Sequence, residues 1–149
     1  MSPGDIDLRV ITQRAAWVRE MTQSIRELPL KDKREFLENK HHIAAAESYL
    51  RRSLEALFDI GRHILVKKFA FPATEYKEIA QGLVDEKVLL PEESGLLRKM
   101  AGYRNRMVHF YHEISADELY DLCQNHLGEL NLVLESLLKW VEKNPPKNP

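Results

Sequence analysis

The sequence predicts an all-α fold, an up-and-down bundle of about five helices, and three observations lead to it. Apolar residues recur every three or four positions along nearly all of the 149-residue chain, the spacing that one face of a helix requires. The periodic stretches are bounded by helix start and stop signals. No segment needs to be a strand.

From Asp7 to Leu28, the residues Leu8, Ile11, Ala15, Val18, Met21, Ile25 and Leu28 share a face, and Pro29 ends that helix. A longer stretch runs from about Lys31 to Phe69, with Ile43, Ala46, Leu50, Leu54, Leu57, Ile60, Gly61, Ile64 and Leu65 as its buried stripe and a break near Asn39. Phe71-Pro72-Ala73-Thr74 reads as a loop with Thr74 as the N-cap of a short helix over 75–86. Pro91 followed by Glu92 and Glu93 starts a fourth helix, with proline in the first turn and carboxylates at the positive end of the dipole. Ser115-Ala116-Asp117-Glu118 has capping-box spacing, and Leu119, Leu122, His126, Leu130, Val133, Leu137 and Trp140 carry a long last helix behind it.

A chain of this length builds one core without staples, so residues 1–143 are expected to form a single domain, with 144–149, rich in proline, as a flexible tail. Hydrophobic residues at 44% and charged residues at 30% are ordinary globular values. Cys123 is the only cysteine, which excludes an internal disulfide and a cysteine-built zinc site and fits a reducing compartment. The first residues carry no basic and apolar leader pattern, and no uncharged run approaches the roughly 20 residues of a membrane span, so the expected location is cytoplasmic, with no membrane contact. A net charge of −1 argues against a wholly basic nucleic-acid-coating surface, so any RNA contact has to be local.

The chemistry is concentrated in Ala101-Gly102-Tyr103-Arg104-Asn105-Arg106-Met107-Val108-His109-Phe110-Tyr111-His112, at the end of the fourth helix. Between Ser94 and His112 stand Arg98, Lys99, Arg104, Arg106 and two histidines, with no carboxylate, a local positive patch able to attract phosphate. At about 100° per residue, Arg104 and Tyr111 fall on one helix face and Asn105 and His109 on an adjacent one. These types suit phosphodiester cleavage in RNA: a histidine can move protons near neutral pH, and an arginine fork can hold the phosphate as charge builds. Attack by the ribose 2′-OH would give a 2′,3′-cyclic phosphate and a 5′-hydroxyl, needs no metal or other cofactor, and excludes DNA.

Arg104-Asn105-x-x-x-His109-x-Tyr111 resembles the R-x-x-x-x-H-x-Y signature of HEPN ribonucleases, the HepT-like toxins in particular. The hydrophobic frame Met100 to Val108 is similar to that family's motif helix, and Glu47 to Lys67 to its long central helix. The resemblance implies a homodimer with Arg104 and His109 of both subunits lining one RNA-cleaving cleft, and Asn105 as the polar residue after the arginine. It also implies a type VII-like toxin–antitoxin pair, in which an MNT-type nucleotidyltransferase antitoxin neutralises the toxin by attaching AMP to the motif tyrosine, Tyr111 here. Phosphate charge and bulk at that position would repel and obstruct RNA.

Other residues have plainer readings. His109 and His112, with Glu113 beside them, have metal-ligand spacing but no third and fourth ligand, so no metal site is expected. His41 and His42 point to different faces. Asp59, Arg62 and His63 form either support for the cleft or, the reading we favour, an ordinary ion-pair set. Trp17, Trp140, Phe58 and Tyr120 suit core or dimer packing better than base stacking, and Cys123 a small core position. The alternative to a ribonuclease is a non-catalytic HEPN subunit that binds a nucleotide or a nucleotidyltransferase through the same groove. A purely structural dimer is a third reading.

Overall fold

The computed structural model describes residues 5–109 and 114–147, which form seven helices and no strand. They are α1 (Leu8–Arg26), α2 (Lys33–Glu38), α3 (Lys40–Phe69), α4 (Tyr76–Asp85), α5 (Pro91–Val108), α6 (Ala116–Asn125) and α7 (Leu127–Lys143). The count exceeds the expected five because two of the predicted helices are each interrupted at one residue.

Asn39 makes the first interruption. Its backbone is extended (φ −111°, ψ 109°), and its side chain accepts the His41 N–H at 2.9 Å, so it ends α2 and caps α3 in one step. His126 makes the second, with φ −120° and ψ 3° and its ring between the carboxylates of Asp121 (3.3 Å) and Glu129 (3.0 Å). The short helix starts one residue later than expected, at Tyr76, with Glu75 as its N-cap. Thr74 instead donates its hydroxyl to Glu78, which also accepts the Glu75 N–H, both at 3.3 Å. Asp7, Asp32 and Ser115 cap α1, α2 and α6 by accepting backbone N–H groups.

Helix α3, 30 residues long and thus about 45 Å at 1.5 Å per residue, is the axis on which the other six helices pack. Leu54, Leu57, Ile60, Ile64 and Leu65 line its buried stripe, against Ile11, Val18 and Ile25 of α1, Leu97 and Ala101 of α5, and Val133 and Leu137 of α7. Burial of such side chains, each contributing about 1.5–3 kcal/mol, makes the periodic pattern sufficient to specify the bundle. The α1 stripe is less complete than predicted, since Leu8 is 44% exposed, and Trp17, read as core or dimer packing, is 38% exposed and does not join the core. Phe58 is buried, Trp140 packs beside Phe69, and Tyr120 packs edge-on to Phe36 while donating its hydroxyl to the Leu30 carbonyl. Cys123 is a buried core residue whose thiol is pushed up to about 12 by burial.

Two junctions set the position of the polar end of α5. Ala70 takes the left-handed conformation (φ 51°) and, with Phe71, donates its N–H back to the last turn of α3, reversing the chain so that 71–75 leads into α4. Ser94 then donates its buried hydroxyl to the Ala80 carbonyl at 2.8 Å, joining α5 to α4. Near the ends of the chain, Asp5 pairs with Lys68 (2.8 Å) and accepts the Lys147 N–H (2.6 Å), and these contacts hold its carboxyl at about 2.

Candidate active site

Leu97, Met100 and Ala101 bury one face of α5, so the residues that follow emerge at the rim of the core. Arg104 reaches back across α3 and α4. Its Nη2 lies 3.0 Å from Oε2 of Glu55, and its guanidinium carbon lies 4.7 Å from the centre of the Tyr76 ring. Tyr76 itself stacks on buried Phe58, with centroids 4.4 Å apart and planes 3° from parallel. Burial raises the Tyr76 phenol above its usual value, with the Arg104 cation pulling the other way, so the ring stays neutral at physiological pH.

Of this assembly, Arg104 and Tyr76 line a cleft of about 530 Å³. Arg62 of α3, Thr74 to Lys77 at the start of α4, and Arg104, Asn105 and His109 line it. Among the described residues, three cations, Arg62, Lys77 and Arg104, stand with one carboxylate, Glu75, around it, and the positive end of the α4 dipole opens onto the same space. A chain with net charge −1 therefore keeps a local anion-attracting pocket.

Arg104, Asn105 and His109 are thus brought together, although not by the route the periodicity suggested. Helix α5 ends at Val108, and His109 is its C-cap, exposed, with extended backbone (φ −89°, ψ 122°) and its N–H donated to the Asn105 carbonyl at 3.0 Å. His109 reaches the cleft because the chain turns out of the helix, rather than from a continued helical face. Tyr111 lies outside the described residues, as do Phe110, His112 and Glu113.

The basic run of the motif does not act as one patch. Arg106 turns away and pairs with Glu118 of α6 through both its terminal nitrogens (2.7 and 2.5 Å), and Arg98 donates to Gln81 on α4. Of the four cations, Arg104 alone lines the cleft, and Arg62 and Lys77 from other helices supply the rest. Asp59 is the ordinary ion-pair partner expected, holding Arg62 at 3.6 Å and Arg14 at 3.1 Å. His63 turns to α1, its Nε2 accepting the Asp7 N–H. Sequence reasoning missed Glu55, Tyr76 and Lys77 as neighbours of the motif. Among the described residues, no three His, Cys, Asp or Glu side chains come together as a metal-binding group, and no helix is long and apolar enough to cross a membrane.

The fold is that of HEPN toxins. The tri-AMPylated Shewanella oneidensis HEPN toxin, solved in complex with MNT antitoxin, superposes with a TM-score of 0.80 at 22% identity, over 87% of this chain and 97% of that one. A toxin–antitoxin solved with AMP-PNP gives 0.78 at 22% identity, over 86% and 97%. YutE from Bacillus subtilis, a cytosolic protein of unknown function, gives 0.78 at 21% identity, over 93% of each chain. The sequence model of the family Ribonuclease HepT-like matches residues 18–137, and the chain belongs to that family. No curated protein matches it.

Proposed function

We propose that the chain is an endoribonuclease toxin that cuts RNA without a metal, acting as a homodimer whose two copies of Arg104 and His109 line one cleft. The observation that carries this reading is the convergence of Arg104, Asn105 and His109 on a cleft that, among the described residues, has two further cations and a single carboxylate. His109 moves the proton of the attacking 2′-OH, Arg104 holds the phosphate as negative charge accumulates, and Asn105 orients the substrate. The products are a 2′,3′-cyclic phosphate and a 5′-hydroxyl, and DNA is not cut because it lacks the attacking group.

The partner in this reading is an MNT-type nucleotidyltransferase antitoxin that attaches AMP to Tyr111, as the AMPylated state of the Shewanella relative suggests. Tyr111 follows His109 by two residues, close enough for a nucleotide on its phenol to crowd the cleft and repel a phosphate backbone.

Expression of the chain alone in a bacterial host, beside an Arg104→Ala/His109→Ala control, tests the reading. Growth arrest with new 5′-hydroxyl RNA ends, absent in the control and unaffected by a chelator in lysate assays, supports it. Normal growth and intact RNA with both chains reject it in favour of a non-catalytic nucleotide- or partner-binding subunit. Tyr111→Phe should keep the toxicity and lose neutralisation by the antitoxin.

A further inference from the structure

We infer that Glu55 is a positioning residue for Arg104, fixing the direction in which the guanidinium meets a phosphate in the cleft. The inference rests on the reading of Arg104 as the phosphate-holding group. Glu55 is not among the residues that line the cleft; it belongs to α3 and lines a neighbouring pocket with Arg14 and Trp17 of α1. Both of its oxygens are engaged: Oε1 accepts from Arg51 one turn earlier at 2.8 Å, and Oε2 accepts from Arg104 at 3.0 Å. A carboxylate held at both ends on a rigid helix has little freedom to rotate and passes that restriction to its partner.

The rest of the Arg104 environment does not do the same. The buried Nε of Arg104 has no hydrogen-bond partner among the described residues, and the Tyr76 face, 4.7 Å from the guanidinium carbon, supports the group without setting its rotation in the ring plane, because attraction to a ring face has little directionality within that plane. Among the described residues, the Glu55 contact is the one directional hold on the fork. It engages Nη2, so the donor that would meet a phosphate oxygen in this reading is Nη1. Misplacement of a reacting group by about 1 Å can slow a reaction about 100-fold, so the effect of losing Glu55 falls on turnover. Affinity moves little or improves, since a negative charge near the phosphate site is removed.

Single-turnover cleavage and binding of a 2′-O-methyl RNA that cannot be cut, measured for wild type, Glu55→Ala, Glu55→Gln and Arg104→Ala, test this. Glu55→Ala should lower kcat by about 10-fold or more with unchanged or tighter binding, and Glu55→Gln, which keeps an acceptor oxygen, should restore most of the rate. Wild-type kcat in Glu55→Ala overturns the inference, as does an equal loss in both variants that tracks a lowered Tm. The NMR signals of the Arg104 guanidinium, assigned by their absence in Arg104→Ala, provide an arm independent of activity: restricted rotation in wild type and Glu55→Gln, averaging in Glu55→Ala. Identical signals in all three overturn the inference. If Arg104→Ala cuts RNA as wild type does, the ribonuclease site assignment fails instead, and the NMR arm still decides whether Glu55 holds Arg104.

Discussion

The backbone N–H of Asp7 is donated to Nε2 of His63 at 2.9 Å, joining the cap of α1 to the middle of α3. The bond requires a neutral imidazole with its proton on Nδ1. Burial, reinforced by the nearby Lys67 cation and opposed by Asp7, lowers the His63 value below 6.5. A histidine with a depressed folded value binds a proton more readily when unfolded, so its contribution is complete above about pH 6.5 and is lost as the pH falls below it. Thermal melts between pH 7.5 and 5 should therefore show stability declining on acidification, with a shallower decline in His63→Gln. Equal slopes in the two proteins would remove His63 as a cause.

Arg106 and Glu118 bridge α5 and α6, the helices on either side of residues 109–115. The pair raises the Arg106 value and lowers that of Glu118, mainly through their hydrogen bond. Both side chains remain more than a third exposed (41% and 35%), so solvent screening limits the coupling to about 0.2–1 kcal/mol. A double-mutant cycle with Arg106→Gln and Glu118→Gln should return a value in that range and decline with added salt. Because Arg106 points away from the cleft, Arg106→Gln should leave RNA cleavage unchanged where Arg104→Ala abolishes it.

Glycine substitutions separate close packing from helix propensity. A Cβ on Gly61 would lie 2.9 Å from Leu83 Cδ1 and 3.0 Å from Ile79 Cγ2, both on fully buried side chains of α4. Gly61→Ala should overpack the contact between α3 and α4 and destabilise by about 1–3 kcal/mol. Gly102, within α5, has nothing within 4 Å of such an atom, so Gly102→Ala should stabilise the same fold by about 0.5–1 kcal/mol through propensity alone. Denaturant midpoints of opposite sign for the two variants are the expected result.

The helices were legible because their apolar stripes and caps are local signals: Pro91 and Ser115 bound elements as expected, while α1 stops at Arg26, short of Leu28 and Pro29. The interruption at His126 was not, because buried Leu119, Leu122, Leu130, Val133 and Leu137 keep helical spacing straight through it. Arg104, Asn105 and His109 could be found from sequence for the same reason of locality: they lie within six residues. Glu55 and Tyr76 could not. A carboxylate four residues after Arg51 reads as an exposed i,i+4 pair, and a tyrosine in a short helix as packing. Only the crossing of α3, α4 and α5 gives them Arg104 as a common neighbour.

That crossing makes Arg104 more than a positive charge. One terminal nitrogen is committed to Glu55 and the guanidinium carbon lies 4.7 Å from the centre of the Tyr76 ring, so a phosphate held as proposed would draw on another donor of the same rigid fork. A lysine ammonium keeps the charge but cannot hold Glu55 and present a second, fixed donor at the fork's geometry. Arg104→Lys should therefore retain most of the affinity for uncleavable RNA while losing about 100-fold in single-turnover rate, the scale expected when a placed donor to a developing anion is removed. A lysine variant that cuts at close to the wild-type rate would mean that charge alone suffices at this position and that the fork has no part in turnover.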